Sequence, residues 1–461
     1  MWNKGKAPKP VVARGFLGLA ALMAFAWLAS AAPARADVVL HWDEIAVRTL
    51  TTQVPALSPF AQSRFAAIVQ LAVFEAVNAT TGEYEGYLGS PMAPNGAPIV
   101  AAVGASSEAA AIAAAHGVLV NYFPGNTVAL NADRDASLAA IPDGPAKANG
   151  VAAGVAAAAA LIAERVGDGA SPQTFYQPPL NVPAGEWSIT PGCPVDGGGN
   201  PLGGILLNWQ NVRPFGFVEP ASGHWSEAFR PAPPPAITSN RYAKDYDEVK
   251  RVGGTTSTER PDDRATVVRF YAAMSPTYLF HSVARQLAAE RGDSLAANAR
   301  NLALISIATA DSLVASFATK YHYLYWRPVT AIRAGDTDDN PKTDQDAAFT
   351  PFITTPCFPS YPSNHASGSN GALEAIRRFY GAAGHAITLS GTIPVLGLVT
   401  LNYTSLKQIS QDIDDARVYG GIHFRFDQVA GVRLGREVAT SVVKDNLRKA
   451  SNGRQPPTPN P

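Results

Sequence analysis

The sequence predicts an all-α protein built from packed helical bundles. Three observations predict it. Apolar residues recur with a helical period through most of the chain. Few runs alternate with the period of a strand. No fixed-period repeat marks a solenoid. Hydrophobic residues are 46% of the 461 and charged residues 16%, which suits a globular chain with a sizeable core.

The elements follow in order. Residues 1–36 begin with Lys4, Lys6, Lys9 and Arg14 and carry no acid. An apolar stretch runs from Phe16 to Ala32, and Ala34-Arg35-Ala36 offers a small-x-small cleavage site. This is the layout of a secretory signal peptide, with a retained membrane anchor as the alternative. Cleavage near Ala36 predicts a secreted or periplasmic protein with no stable membrane span. The mature chain then carries 32 positive against 37 negative residues.

Residues 37–254 read as an N-terminal helical domain with a Pro/Gly-rich loop region. Ser58 caps a helix over 58–80 with Pro59 at its first position. Ala-rich helices follow over 98–123 and 146–166, and their small side chains suit close helix packing. Residues 167–239 are rich in Pro, Gly and Asn and contain Trp187, Trp209 and Trp225. They predict an ordered loop region pinned by aromatics. Helical patterns return at 242–252, 263–273, 279–291 and 294–326. A second loop spans 334–361, and the last helices cover 364–380, 406–416 and 424–447. Residues 255–449 read as a second helical domain. The best candidate for extended structure is 384–399, and the polar, Pro-rich 450–461 is a flexible tail.

Composition excludes some functions. Lys+Arg and Asp+Glu are both 37, so no basic excess exists to bind a nucleic-acid backbone. Two cysteines exclude a disulfide-rich scaffold and a four-cysteine zinc site. Cys193 and Cys357 could pair in an oxidising compartment, but sequence does not say whether they are close.

Three segments carry chemistry. In Lys320-Tyr-His-Tyr-Leu-Tyr-Trp-Arg327-Pro328 the two cations are seven apart at the end of a helical run. That spacing puts both on one helix face, where they suit an oxyanion. The alternative is a solvated basic face. In Phe358-Pro-Ser-Tyr-Pro-Ser363-Asn364-His365 a turn runs into a helix that Ser363 caps. Free N–H groups there suit an anion, and His365 is placed for acid–base work. The alternative is an ordinary capped helix. In Ala416-Arg417-Val-Tyr-Gly420-Gly421-Ile-His423-Phe-Arg-Phe-Asp427, His423 and Asp427 are four apart on one expected helix face. A carboxylate beside an imidazole fixes its tautomer for work as a nucleophile or metal ligand. The alternative is a core histidine with a local partner.

Together the segments resemble the three-part signature of one superfamily. It joins type 2 phosphatidic acid phosphatases, class A acid phosphatases and vanadium-dependent haloperoxidases. The pattern is Lys, six residues, Arg-Pro; then Pro-Ser-Gly-His; then Ser-Arg, five residues, His, three residues, Asp. The likeness covers about residues 255–445. Asn364 replaces the motif's Gly and Ala416 its Ser.

The resemblance implies helical bundles of the vanadium chloroperoxidase and acid phosphatase type. It implies that Lys320, Arg327, Arg417, Ser363 and Asn364 hold the oxygens of vanadate or phosphate. His423 would bond the central atom, Asp427 would orient His423, and His365 would be the acid–base residue. In the haloperoxidase branch vanadate is the cofactor, with hydrogen peroxide and halide consumed and hypohalous acid released. In the phosphatase branch there is no cofactor, and a phosphate ester would be hydrolysed through a phosphohistidine on His423.

Chain length and the segment FPSYPSNHA resemble the haloperoxidase branch, with Phe358 where fungal enzymes place a halide-pocket Phe. Phe317 stands where those enzymes carry a Trp, which favours bromide over chloride. A secreted, non-catalytic binding protein is the remote alternative. The other histidines (His41, His116, His224, His281, His322 and His385) show no metal-ligand spacing. A homodimer is one arrangement in which Ala-rich helices could pack between chains.

Overall fold

The computed structural model describes residues 37–450 except Ser222. The expected signal peptide and the tail from Ser451 lie outside the described residues. From Asp37 onward the chain clusters as one compact unit. It contains helices α1 (Val38–Thr51), α2 (Pro59–Thr81), α3 (Ser107–Tyr122), α4 (Thr127–Ala139) and α5 (Pro145–Glu164). After the long loop come α6 (Asn240–Gly253), α7 (Asp262–Ala273), α8 (Pro276–Arg291) and α9 (Leu295–Tyr323). Then follow α10 (Pro328–Arg333), α11 (Asn364–Tyr380), α12 (Leu406–Val418) and α13 (Arg425–Asp445). One antiparallel hairpin, β1 (Ala383–Ile393) with β2 (Gly397–Ser405), precedes α12. The all-α class holds, and the hairpin occupies and extends the one stretch expected to be extended.

Local chemistry sets the helix ends. Ser58, Ser106, Ser294 and Ser363 each accept a hydrogen bond from an N–H in the first turn of the helix they precede. Gly82 and Gly292 close α2 and α8 in the left-handed conformation. The helix expected from residue 98 begins only at Ser107, where the Ser106 side chain first offers a cap.

α9 is the axis of the fold. Every residue from Asn301 to Tyr321 is buried, whatever face it is on, and α2, α11 and α13 pack around the helix. The expected 254/255 boundary falls between α6 and α7 inside the compact unit, and α2 shares one core with the C-terminal helices. Close approach depends on small residues. A Cβ on Gly371 would stand 2.7 Å from the Ala308 carbonyl of α9. In the N-terminal half, a Cβ on Gly154 of α5 would stand 2.3 Å from the Ala110 carbonyl of α3. By length and composition α2, α5 and α9 could each cross a membrane, though 89% of the apolar window of α2 and all of that of α9 is buried within the fold.

The long loop is pinned as its aromatics predict. Trp187, Trp209 and Trp225 are buried. The buried Asp311 carboxylate of α9 accepts hydrogen bonds from the N–H groups of Phe215 (2.9 Å) and Gly216 (2.8 Å). A disulfide joins Cys193 to Cys357, tying this loop to the segment before α11.

Candidate functional site

The three chemistry-bearing segments converge at one end of the α9–α11–α13 core. Their route differs from the expected one in two places. Lys320 is on α9, but Arg327 is not on the same helix face. Leu324 takes a left-handed φ of 49° and ends α9, so Arg327 caps α10 instead. Both cations nevertheless reach the Phe358 ring, with Lys320 Nζ at 5.2 Å and the Arg327 guanidinium carbon at 5.0 Å from its centroid. Likewise His423 and Asp427 do not share a helix face. α13 starts at Arg425, His423 lies outside it, and Asp427 sits in its first turn. The Asp427 carboxylate reaches back and accepts from the Phe424 N–H at 3.1 Å and from His423 Nδ1 at 2.8 Å.

The bend that brings Arg417 and His423 together requires glycine. Gly421 has a φ of 77°, and a Cβ there would stand 2.2 Å from the Gly253 carbonyl. Arg417, on the last turn of α12, thereby enters the same buried cluster.

The cations are held mainly by carbonyls. Lys320 Nζ donates to the carbonyls of Pro359 (2.9 Å) and Ser360 (2.7 Å). Arg327 donates from Nε to the Phe358 carbonyl (2.8 Å) and from Nη1 to the Ile422 carbonyl (2.9 Å). Arg327 Nη1 also lies 3.1 Å from His423 Nε2. A guanidinium only donates, so Nε2 accepts and the ring proton sits on Nδ1, facing Asp427. Arg417 makes one long bond to the Tyr271 carbonyl, at 3.4 Å. Arg327 Nη2, Arg417 Nε and Asp427 Oδ1 are buried without a partner among the described residues.

Ser363 is fully buried. Its hydroxyl caps α11 and its N–H donates to the Asp427 carbonyl at 3.0 Å. Asn364 follows it in the first turn, buried, and His365 is half-buried beside it. Phe358 is buried edge-on to Phe317, with centroids 5.0 Å apart.

Electrostatics follow from this crowding. Burial pushes the Lys320 ammonium well below its ordinary value, and Arg327 adds repulsion. Burial lowers Arg327 to about 9 and Arg417 to about 10. His423 is held well below the usual imidazole range by burial and then by Arg327, Lys320 and Arg417. His365 moves the same way, with burial first and Arg417 next. Burial raises the Asp427 carboxyl to about 6 against the downward pull of the Ser360 hydrogen bond. Three cations therefore crowd His423, with Asp427 as the carboxylate of the cluster, and the uncommitted donors fit an oxyanion.

Sequence reasoning missed Ser360. Its hydroxyl donates to Asp427 Oδ2 at 2.6 Å and lies 3.3 Å from His423 Nδ1, while its carbonyl accepts from Lys320. The signal was present, because Pro359-Ser360 repeats as Pro362-Ser363 three residues later. The Tyr271 carbonyl from α7 had no signal, since its role comes from its backbone position alone. The other histidines lie apart: His281 pairs with Asp43 in the helical core, and His116 bonds Asn131 at 2.8 Å.

All these segments fall inside one matched region. Residues 300–452 match the model of the second helical-bundle domain of vanadium chloroperoxidase. This region is therefore similar to the second helical-bundle domain of the vanadium haloperoxidases. The vanadium chloroperoxidase of Curvularia inaequalis is 26% identical over 178 residues, covering 32% of this chain and 29% of that protein. The match thus spans less than a third of the fungal protein's length. The fold is similar over far more. The first bacterial vanadium-dependent iodoperoxidase superposes with a TM-score of 0.70 at 22% identity, covering 90% of this chain and 98% of that one. A bacterial vanadium-dependent chloroperoxidase in its holo form gives 0.64 at 18%, covering 87% and 95%.

Proposed function

We propose that this protein is a secreted vanadate-dependent haloperoxidase that oxidises halide with hydrogen peroxide, bromide ahead of chloride, to hypohalous acid. The observation that carries the proposal is the buried cluster of Lys320, Arg327 and Arg417 around His423, with Asp427 as its carboxylate and buried donors left over. Buried charge is costly unless paired, so such a cluster calls for a tightly held polyanion. Vanadate fits that donor set, and when bound it supplies the Lewis acidity that activates hydrogen peroxide.

In this reading Lys320, Arg327, Arg417, Ser363 and the Asn364 backbone hold the oxygens. His423, its Nδ1 proton committed to Asp427, offers its Nε2 lone pair to the central atom once Arg327 Nη1, which donates to Nε2 in this structure, turns to an oxygen of the oxyanion. Asp427 is itself steadied by Ser360. Burial first and Arg417 next hold His365 below the usual imidazole range, so it is neutral at pH 7 with a lone pair to take a proton from an incoming hydroxyl and return it to a leaving one. Phe358 and Phe317 make an apolar wall for the halide. Iodide belongs in the assay too, since the iodoperoxidase shares this fold. Export through residues 1–36 is part of the proposal, and the Cys193–Cys357 bond supports it, because disulfides persist in oxidising compartments.

The test uses protein from Asp37 onward, incubated with orthovanadate. Halogenation of a phenolic dye is followed with hydrogen peroxide and each halide. Hydrolysis of a phosphate ester is measured without vanadate, with His423→Ala beside both. Vanadate-dependent bromination, lost in His423→Ala, is expected. Phosphate release without halogenation would instead indicate an exported phosphatase.

A further inference from the structure

A cleft of about 1110 Å³ opens between the β1–β2 turn, the α7–α8 turn and the α1–α2 connection, and it ends at His365 and Arg417. Its walls include Met274, Phe352, Ile353, Ile393 and Pro394. Among the described residues that line it there is no Asp or Glu, and one further charged side chain, Arg269 of α7, stands in it.

Arg269 differs from its neighbours in what it is tied to. Arg264, on the same helix, is paired with Asp263, Asp412 and Asp415. Arg260 also rests on the Phe352 ring, at 3.6 Å, but it is tied down by donating to the carbonyls of Val252, Gly254 and Tyr419. Arg269 makes neither kind of bond among the described residues. Its guanidinium rests 4.8 Å from the Phe352 centroid and is half-buried. Resting on an aromatic ring holds the cation in place without neutralising it.

We propose that Arg269 is an anion-guiding residue: with Arg417 at the cleft floor it makes the approach to the oxyanion site positive throughout, drawing in small anions and leaving neutral reactants unaffected. Low-dielectric walls lined by one sign of charge focus the field along a cleft and raise the local anion concentration. Bromide and orthovanadate share the relevant chemistry, as compact anions that must pass Arg269 before Arg417. Hydrogen peroxide is uncharged and gains nothing. The inference rests on the proposed function for the bromide step and on the oxyanion site alone for orthovanadate.

The experiment compares Arg269→Gln, Arg269→Glu and Arg269→Lys with the parent chain. Orthovanadate affinity is measured by calorimetry at low and high salt. On the vanadate-loaded protein, kcat/KM is measured separately for bromide and for hydrogen peroxide. At low salt Arg269→Gln should lose about tenfold in kcat/KM for bromide and in orthovanadate affinity, and Arg269→Glu more. Arg269→Lys should stay near the parent, and kcat/KM for hydrogen peroxide should not move. The losses should shrink near 1 M salt, where the screening length is about 3 Å. Equal losses for bromide and peroxide, or losses that salt leaves unchanged, would mean a merely structural Arg269 and overturn the inference. Unchanged affinity and unchanged bromide kinetics would overturn it as well. If not even the parent halogenates, the haloperoxidase reading fails, and the orthovanadate measurements alone decide the role of Arg269.

Discussion

Gly431→Ala should separate the packing of the fold from the function of the site. Gly431 lies on α13 where it crosses the start of α11. A Cβ there would stand 2.5 Å from the Ser363 carbonyl oxygen, 2.8 Å from the Ala366 Cβ and 3.2 Å from the Ser367 nitrogen. Ordinary contact begins near 3.4 Å. The nearest atom is backbone, so the start of α11 must withdraw by roughly 1 Å, carrying Ser363, Asn364 and His365 away from Asp427. The Ser363 N–H to Asp427 carbonyl bond, at 3.0 Å, spans the same gap. Overpacking of this kind costs about 1–3 kcal/mol, offset by up to ~1 kcal/mol from the better helix propensity of Ala. A displacement of about 1 Å at a reacting centre can cost ~100-fold in rate.

Gly154→Ala is the control. Its Cβ would stand 2.3 Å from the Ala110 carbonyl and 2.7 Å from the Ala113 Cβ, at the α3–α5 crossing and outside the oxyanion cluster. Both variants should lower Tm. Only Gly431→Ala should lose orthovanadate affinity by calorimetry and about 100-fold in vanadate-dependent bromination. A Gly431→Ala protein with parental affinity and turnover would refute the coupling of this crossing to the site. Equal losses in Gly154→Ala would refute it too.

Two further outcomes concern stability. Burial raises the Glu75 carboxyl to about 7, although the Tyr87 and Leu88 N–H groups donate to it. The folded state therefore holds a proton that the unfolded chain releases at lower pH, so stability should fall as pH rises from about 4.5 to 7 and level off above. That loss is on the order of 3 kcal/mol. Urea unfolding of Glu75→Gln should show a flatter pH dependence across this window, and an unchanged slope would refute the assignment. Replacing Cys193 and Cys357 together with Ser removes a link between loops 164 residues apart, at a cost of about 2–5 kcal/mol. It also frees Phe358, whose carbonyl orients Arg327, so orthovanadate affinity should fall with the denaturation midpoint, and a fall in stability alone would show that Phe358 is held by other contacts.

The sequence by itself determined the helical class, most helix boundaries and the three charged segments that the fold brings together. These are properties of short stretches. Periodicity marks the buried face of a helix, Ser and Pro mark its start, and the lysine, arginines and histidines keep fixed spacings within each segment. Where spacing alone misleads, the backbone departs from a continuous helix. A seven-residue spacing puts Arg327 on the face of α9, but Leu324 turns left-handed first. A four-residue spacing puts His423 and Asp427 on one helix, but the carboxylate instead closes the start of α13 onto the histidine.

Only the tertiary structure decided which carbonyls hold the cations. Pro359, Ser360, Ile422 and Tyr271 act through backbone oxygens, which every residue type carries and no pattern can flag. It likewise decided that Cys193 meets Cys357, that Ser360 steadies Asp427, and that Arg269 stands beside Phe352 in the cleft leading to Arg417. Each of these joins segments distant in the chain. Their meeting depends on how closely helices approach, which the glycines at the crossings set through the whole packed core and not through any local spacing.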